Sequence, residues 1–198
     1  MAVGNNIVTA AESALGDADL LAQITEGMKR TESIEVRRAV RVPKKHAITR
    51  WEVEHDLDTQ LWCGPAAVSA IAGVPTSIIR EIIREYREDE SARVEGTFDP
   101  EMVYAFDQLG FEMRLVYFCY APLYKQAPTF ARWLREMPRE PHVAYLIGQR
   151  GHGREPGHWC LVAGDWYLCS YSKSVWMPLD KAPRRRARIE SAYAIWKR

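Results

Sequence analysis

The 198-residue chain carries 27 basic and 26 acidic side chains for a net charge of +1, with 47% apolar residues and seven tryptophans. That is the composition of one folded globular domain with its own core, not of a disordered, fibrous or disulfide-stapled chain. So even a charge balance argues against a nucleic-acid or acidic-membrane partner, and no stretch approaches the roughly 18 to 20 apolar residues of a membrane span.

Residues 7 to 28 place Ile7, Ala11, Leu15, Leu21 and Met28 at helical spacing, interrupted by Gly16 and Gly27. A helix so poor in large apolar residues needs a surface to lie on, so residues 1 to 45 are expected to form an arm that packs on the domain or on a neighbouring subunit. Its second half, residues 34 to 42, alternates like a strand exposed on one face and stops at Pro43. The domain proper is expected over residues 46 to 198.

Three helices come next. The first starts at Cys63 and runs to about Ala72; the second follows Pro75-Thr76 with Ile78, Ile79, Ile82, Ile83 and Tyr86 on one face. Asp99-Pro100 opens the third and Gly110 closes it, with Asp99 expected to cap the free amides. From Phe111 the pattern turns to strands, over residues 111 to 118, 142 to 147, 158 to 163, 166 to 169 and 189 to 196, with one short helix near residues 129 to 137. Helices first and strands afterwards predict an α+β fold, a helical layer on an antiparallel β-sheet.

The four cysteines form no Cys-x-x-Cys pair, which argues against zinc or a disulfide framework, and no cofactor or metal is expected. Cys119, Cys160 and Cys169 lie among aromatic and aliphatic neighbours and read as core residues. Cys63 heads a helix instead, where unpaired amides and the helix dipole favour a thiolate and can stabilise an oxyanion. Gly64 would admit a substrate closely, and Pro65 suits the first helical turn. His158 opens a strand and is the expected base; His142 and His152 are weaker candidates. The basic run Lys181, Arg184, Arg185, Arg186 and Arg188 reads as solvated charge. The polar N-terminus has no basic region followed by an apolar one, so a cytoplasmic location is expected.

Gln60-Leu61-Trp62-Cys63-Gly64-Pro65-Ala66-Ala67, Ala72-Gly73-Val74-Pro75, Gly96-Thr97, Gln108-Leu109-Gly110-Phe111 and Gly157-His158-Trp159-Cys160-Leu161-Val162 occur in that order. Together they resemble papain-like cysteine peptidases, above all the bacteriocin-processing leader-peptidase domains of exporters and their small phage-encoded relatives. The resemblance spans about residues 55 to 172. It implies a papain-like fold with the nucleophile helix first, Cys63 as nucleophile, His158 as base and Gln60 as the oxyanion residue. Gln60 stands three residues before the cysteine, where the family has its glutamine five or six before, so Asp58 or a backbone amide is an alternative. The acid that orients the histidine in the family falls here on Cys169-Ser170, leaving Asp165 or Asp180 to act if either reaches.

Two functions are therefore expected. One is a cysteine peptidase or amide hydrolase acting on a peptide or protein through a Cys-His dyad or triad. The other is a catalytically degenerate papain-like fold that serves as a structural or binding module, with the N-terminal arm contacting neighbouring subunits as in a phage virion.

Overall fold

The computed structural model describes residues 34–37, 41–55, 62–90, 93–94, 96–120, 127–151 and 157–198; the helix expected over residues 7 to 28 lies outside them. Strands β1 (Ile34–Arg37), β2 (Phe111–Tyr120), β3 (Ala144–Gln149), β4 (His158–Ala163), β5 (Trp166–Cys169), β6 (Met177–Pro178) and β7 (Ile189–Lys197) form one sheet in the order β1-β2-β7-β3-β4-β5-β6. Every pairing is antiparallel. The α+β order expected from the sequence is the one observed.

Helices α1 (Cys63–Ala72), α2 (Thr76–Arg87) and α3 (Asp99–Gln108) cover one face of the sheet. There Val68, Ile71, Ile79, Ile83, Met102 and Phe106 pack on Leu115, Leu146, Leu161 and Ile195. The short helix α4 (Phe130–Glu136) covers the opposite face, where Phe130 and Trp133 meet Tyr117, Tyr145, Ile147 and Tyr167. Thr129 starts α4 by accepting a hydrogen bond from the Arg132 amide at 3.2 Å. Both faces being buried explains why β3 and β4 read as continuous apolar runs rather than alternating ones.

Three expectations are corrected. The buried stripe of α2 is Ile79 and Ile83 with Ile82 beside them, while Ile78 and Tyr86 are 46% and 43% exposed. Asp99 does not cap α3: the Glu101 carboxylate turns back to accept from the Phe98 amide at 2.9 Å and is held there by Arg87 at 2.7 Å. Asp99 faces the sheet instead and accepts from the Ser191 hydroxyl at 3.3 Å. Of the strand expected over residues 34 to 42, Ile34–Arg37 extends the sheet beside β2, residues 41 and 42 are not strand although Val42 is buried in the second core, and residues 38 to 40 lie outside the described ones. The chain thus joins the sheet before residue 46.

Candidate active site

Helix α1 begins at Cys63 with Trp62 before it and no side chain capping its first turn. Its leading amides therefore need a partner outside the helix. Strand β4 supplies the place. β5 ends at Cys169, opposite Cys160, so the first two residues of β4, His158 and Trp159, have no strand on their β5 side. The start of α1 fits there, and the Trp159 backbone amide hydrogen-bonds to the Cys63 sulfur. The Cys63 sulfur thus neighbours the backbone of the residue after His158, while among the described residues no hydrogen bond joins the Cys63 and His158 side chains.

Strand alternation sends these two neighbours in opposite directions. Trp159 points into the helical face, where its indole nitrogen donates to the Thr97 carbonyl at 3.1 Å. His158 points to the other face, in line with Cys160 and Val162, and is 6% exposed. Gly64 is explained by the first of these contacts. A Cβ there would lie 2.1 Å from Thr97 Oγ1, so Gly64 admits Thr97 and not a substrate, which corrects the sequence-based expectation. Thr97 thus touches both Gly64 and Trp159 and ties α1 to β4.

Burial dominates the ionisation of the pair. The amides of Trp159, Gly64 and Cys63 itself favour the Cys63 thiolate, but desolvation outweighs them and the thiol is raised above its ordinary value. The expected activated thiolate is therefore not the resting form. Burial, with the Arg184 guanidinium second, pushes His158 down to about 4. At neutral pH the site rests as thiol and neutral imidazole, the pair that general-base attack requires.

His158 lies edge-on to Tyr171, with ring centroids 4.5 Å apart. Arg184 sits over the other part of that ring, 4.9 Å from its centroid, and donates to the Tyr171 hydroxyl at 2.8 Å. Arg184 is one of four residues other than glycine with positive φ among those described, at 55°. Arg184, Arg185 and Arg188 are not a free basic patch: Arg185 donates to the Leu179 and Asp180 carbonyls, and Arg188 to that of Ala127. Lys181, Arg185, Arg186 and Arg188 are nevertheless exposed, as expected of solvated charge, and Arg184 is the half-buried member of the run.

Among the described residues no acid is paired with His158. Asp165 occupies the turn between β4 and β5, at the far end of β4, where Ala163 pairs with Trp166. Five residues of strand separate them, about 16 Å at 3.3 Å per residue, so Asp165 does not reach the imidazole. Asp180 lies in the 3-10 turn Leu179–Lys181 and lines one shallow depression with Asp165, again at that far end. Ser170 starts the 3-10 turn Ser170–Ser172 beyond β5, and its neighbour Tyr171 is what meets the histidine. Gln60 and Asp58 lie outside the described residues, as does His152. His142 bonds through Nε2 to the Val42 carbonyl, away from α1.

Sequence reasoning gave no role to Tyr171 and Gln149, and took Thr97 only as part of a motif and Arg184 only as part of a charge run. Gln149 pairs directly with His158 across β3 and β4, a register that only the folded sheet reveals. Cys119, Cys160 and Cys169 are buried, and Cys63 is half-buried. Among the described residues no group of three His, Cys, Asp or Glu side chains is placed to hold a metal ion, and no single helix is long and apolar enough to cross a membrane.

No family model matches the chain, and no curated protein does. Among solved structures it is similar to the peptidase domain of Streptococcus ComA, a bi-functional ABC transporter involved in a quorum-sensing pathway. The two are 16% identical, with a TM-score of 0.46, over 74% of this chain and 98% of that one. The architecture described above rests on this chain's own elements: a helical layer that opens with the Cys63 helix, laid on an antiparallel sheet whose fourth strand begins with His158.

Proposed function

We propose that the chain is a cysteine peptidase or amide hydrolase in which Cys63 attacks a peptide carbonyl and His158 carries the proton. The observation that supports this reading is the hydrogen bond from the Trp159 amide to the Cys63 sulfur, which brings the head of α1 against the residue that follows His158. The thiol proton passes to the imidazole as the S–C bond forms, and the carbonyl electrons move onto oxygen. Backbone amides at the start of α1 hold that oxyanion. The imidazolium then protonates the departing amine, and water releases the acyl group from Cys63.

A neutral resting pair suits this order of events, because the base must accept a proton at the moment of attack. A small activated ester tests it. With p-nitrophenyl acetate, the intact protein should release a burst of nitrophenolate and carry one acetyl group on Cys63 by peptide mass mapping. Cys63→Ser should abolish both, and His158→Gln should slow the burst on the order of a hundredfold, as loss of a general base does. Absence of acetylated Cys63 in the wild type would sink the proposal.

One observation favours the second reading, a degenerate fold that works as a structural or binding module. The group beside His158 is the Arg184 cation, and the imidazole is covered by Tyr171 rather than open to a cleft. A wild-type protein that folds normally yet leaves Cys63 unacylated would be the result this reading requires.

A further inference from the structure

The orienting group missing on the β5 side of His158 has a counterpart on its β3 side. Gln149 is directly opposite His158 in the β3–β4 register. It shares the face of Ile147, as His158 shares that of Cys160, and directly paired residues of an antiparallel ladder have Cβ atoms about 5 Å apart. Gln149 is 1% exposed, and among the described residues neither its Oε1 nor its Nε2 has a hydrogen-bond partner. His158 Nε2 is also buried without a partner. Two adjacent buried groups, one an amide that can accept and the other a ring nitrogen that can donate, are each costly to leave unpaired.

We propose that Gln149 is the positioning residue for His158, its Oε1 accepting from Nε2–H. This rests on the Cys-His reading given above and deepens it. The pairing needs only rotation about the Gln149 side-chain torsions. It fixes the tautomer: with the proton held on Nε2, Nδ1 is bare and free to take the proton of the Cys63 thiol. A neutral amide does this without placing a buried negative charge beside Arg184 and without an acid on β5. It also gives the buried amide of Gln149 a partner in a core otherwise made of Ile147, Cys160 and Val162.

The test uses the intact protein labelled with 15N-histidine, together with iodoacetamide as a probe of Cys63. In the wild type the His158 nitrogens should report the Nε2–H tautomer. Gln149→Met, equal in size but without the amide, should mix the tautomers and slow Cys63 alkylation at pH 7 by about tenfold, the size of effect seen when a histidine loses the group that orients it. Gln149→Glu should restore the rate and move the acid limb of its pH profile upward, since a carboxylate favours the imidazolium. Should Gln149→Met fail to fold, Gln149→Asn, which keeps the amide but shortens its reach, carries the same expectation of mixed tautomers.

An unchanged tautomer and unchanged pH profile in the folded Gln149 variant, with His158→Gln still slowing alkylation, would overturn the role of Gln149 and leave the Cys-His pair standing. An unchanged alkylation rate in His158→Gln would overturn the pair itself and Gln149's role with it.

Discussion

The two faces of the sheet are both buried, yet they are built differently. On the helical face the Trp159 indole has its partner in the Thr97 carbonyl, Asp99 has Ser191 and Glu101 has Arg87, while Thr97 Oγ1 is buried there without one. On the other face His158 Nε2, both amide atoms of Gln149 and the Trp133 indole nitrogen are buried without partners. One face locks α1 in place; the other carries the groups whose protons can be moved. Consecutive residues of β4 divide these tasks, since Trp159 turns to the first face and His158 to the second. The seam between them, at the unpaired end of β4, is where Cys63 sits.

The largest expected consequence of this division is a dependence of stability on pH that comes from His158 on the second face. In the unfolded chain His158 titrates near its ordinary 6.5, and in the folded protein at about 4. Between those values the unfolded state binds more protons, so stability falls as the pH drops through 6.5 and the loss is complete below about 4. A shift of that size corresponds to about 3 kcal/mol at 1.36 kcal/mol per pH unit. His158→Gln should flatten this part of the profile, read as urea midpoints between pH 7 and pH 4. An unchanged slope would mean that the imidazole is not held neutral by the fold.

Gly64→Ala breaks the first face. In an open helix the change would stabilise by up to about 1 kcal/mol. Here the new Cβ meets Thr97 Oγ1 at 2.1 Å and the Thr97 Cβ and Cγ2 at 2.9 Å, so α1 or the Thr97 loop must shift. A net loss of about 2 kcal/mol is expected from overpacking, with the Cys63 sulfur drawn off the Trp159 amide. Thr97→Ser does not clear the site, because Oγ1 remains; Thr97→Ala clears the hydroxyl and methyl and should recover part of the loss. A double-mutant cycle of Gly64→Ala with Thr97→Ala, followed by chemical denaturation, reads that coupling directly.

The contrast between faces also explains what was legible in the sequence. Local signals were: Cys63 before Gly64-Pro65, the isoleucine period of α2, the Pro100 start and Gly110 end of α3, and the strands from Phe111 onward all describe neighbours along the chain. Their outcome in the fold is close, with β4 and β5 at the expected residues and β3 displaced by two. Partners across strands were not legible. Asp165 looked near His158 because only seven positions separate them, but a hairpin sends its turn to the opposite end from its start. Gln149, nine positions before His158, is its direct neighbour for the same reason. Gly64 was assigned to a substrate because nothing in the sequence says that Thr97 folds back onto it.

Arg184 sharpens the second face at a smaller scale. Its charge is the second cause, after burial, of the low His158 value, so Arg184→Gln should raise that value. The change also removes the contacts that hold the Tyr171 ring over the histidine. Tyr171 is 58% exposed, and without Arg184 its ring has less to hold it against His158. Both effects act in the same direction, and an NMR titration of the His158 ring should show the midpoint moving toward 6.5. A midpoint that stays at the wild-type value would assign the depression to desolvation alone.

The smallest effect is expected at Asp99, an acid that the helical layer turns onto the sheet. Burial raises its carboxyl above the ordinary value, and the Tyr193 and Ser191 hydroxyls partly offset that. A raised acid favours folding most at low pH, where it is protonated in both states, and its contribution is lost as the pH rises through the folded value. Asp99→Asn keeps an oxygen for the same hydroxyls while removing the buried charge. It should therefore leave stability unchanged in acid and raise it slightly at pH 7, by on the order of 1 kcal/mol or less. Thermal midpoints at pH 4 and pH 7 decide it. A loss at pH 7 would mean that the Asp99 charge is compensated by a group near the start of β7, where Arg150 already lies beside Glu190, and that the helical face also carries an electrostatic pair.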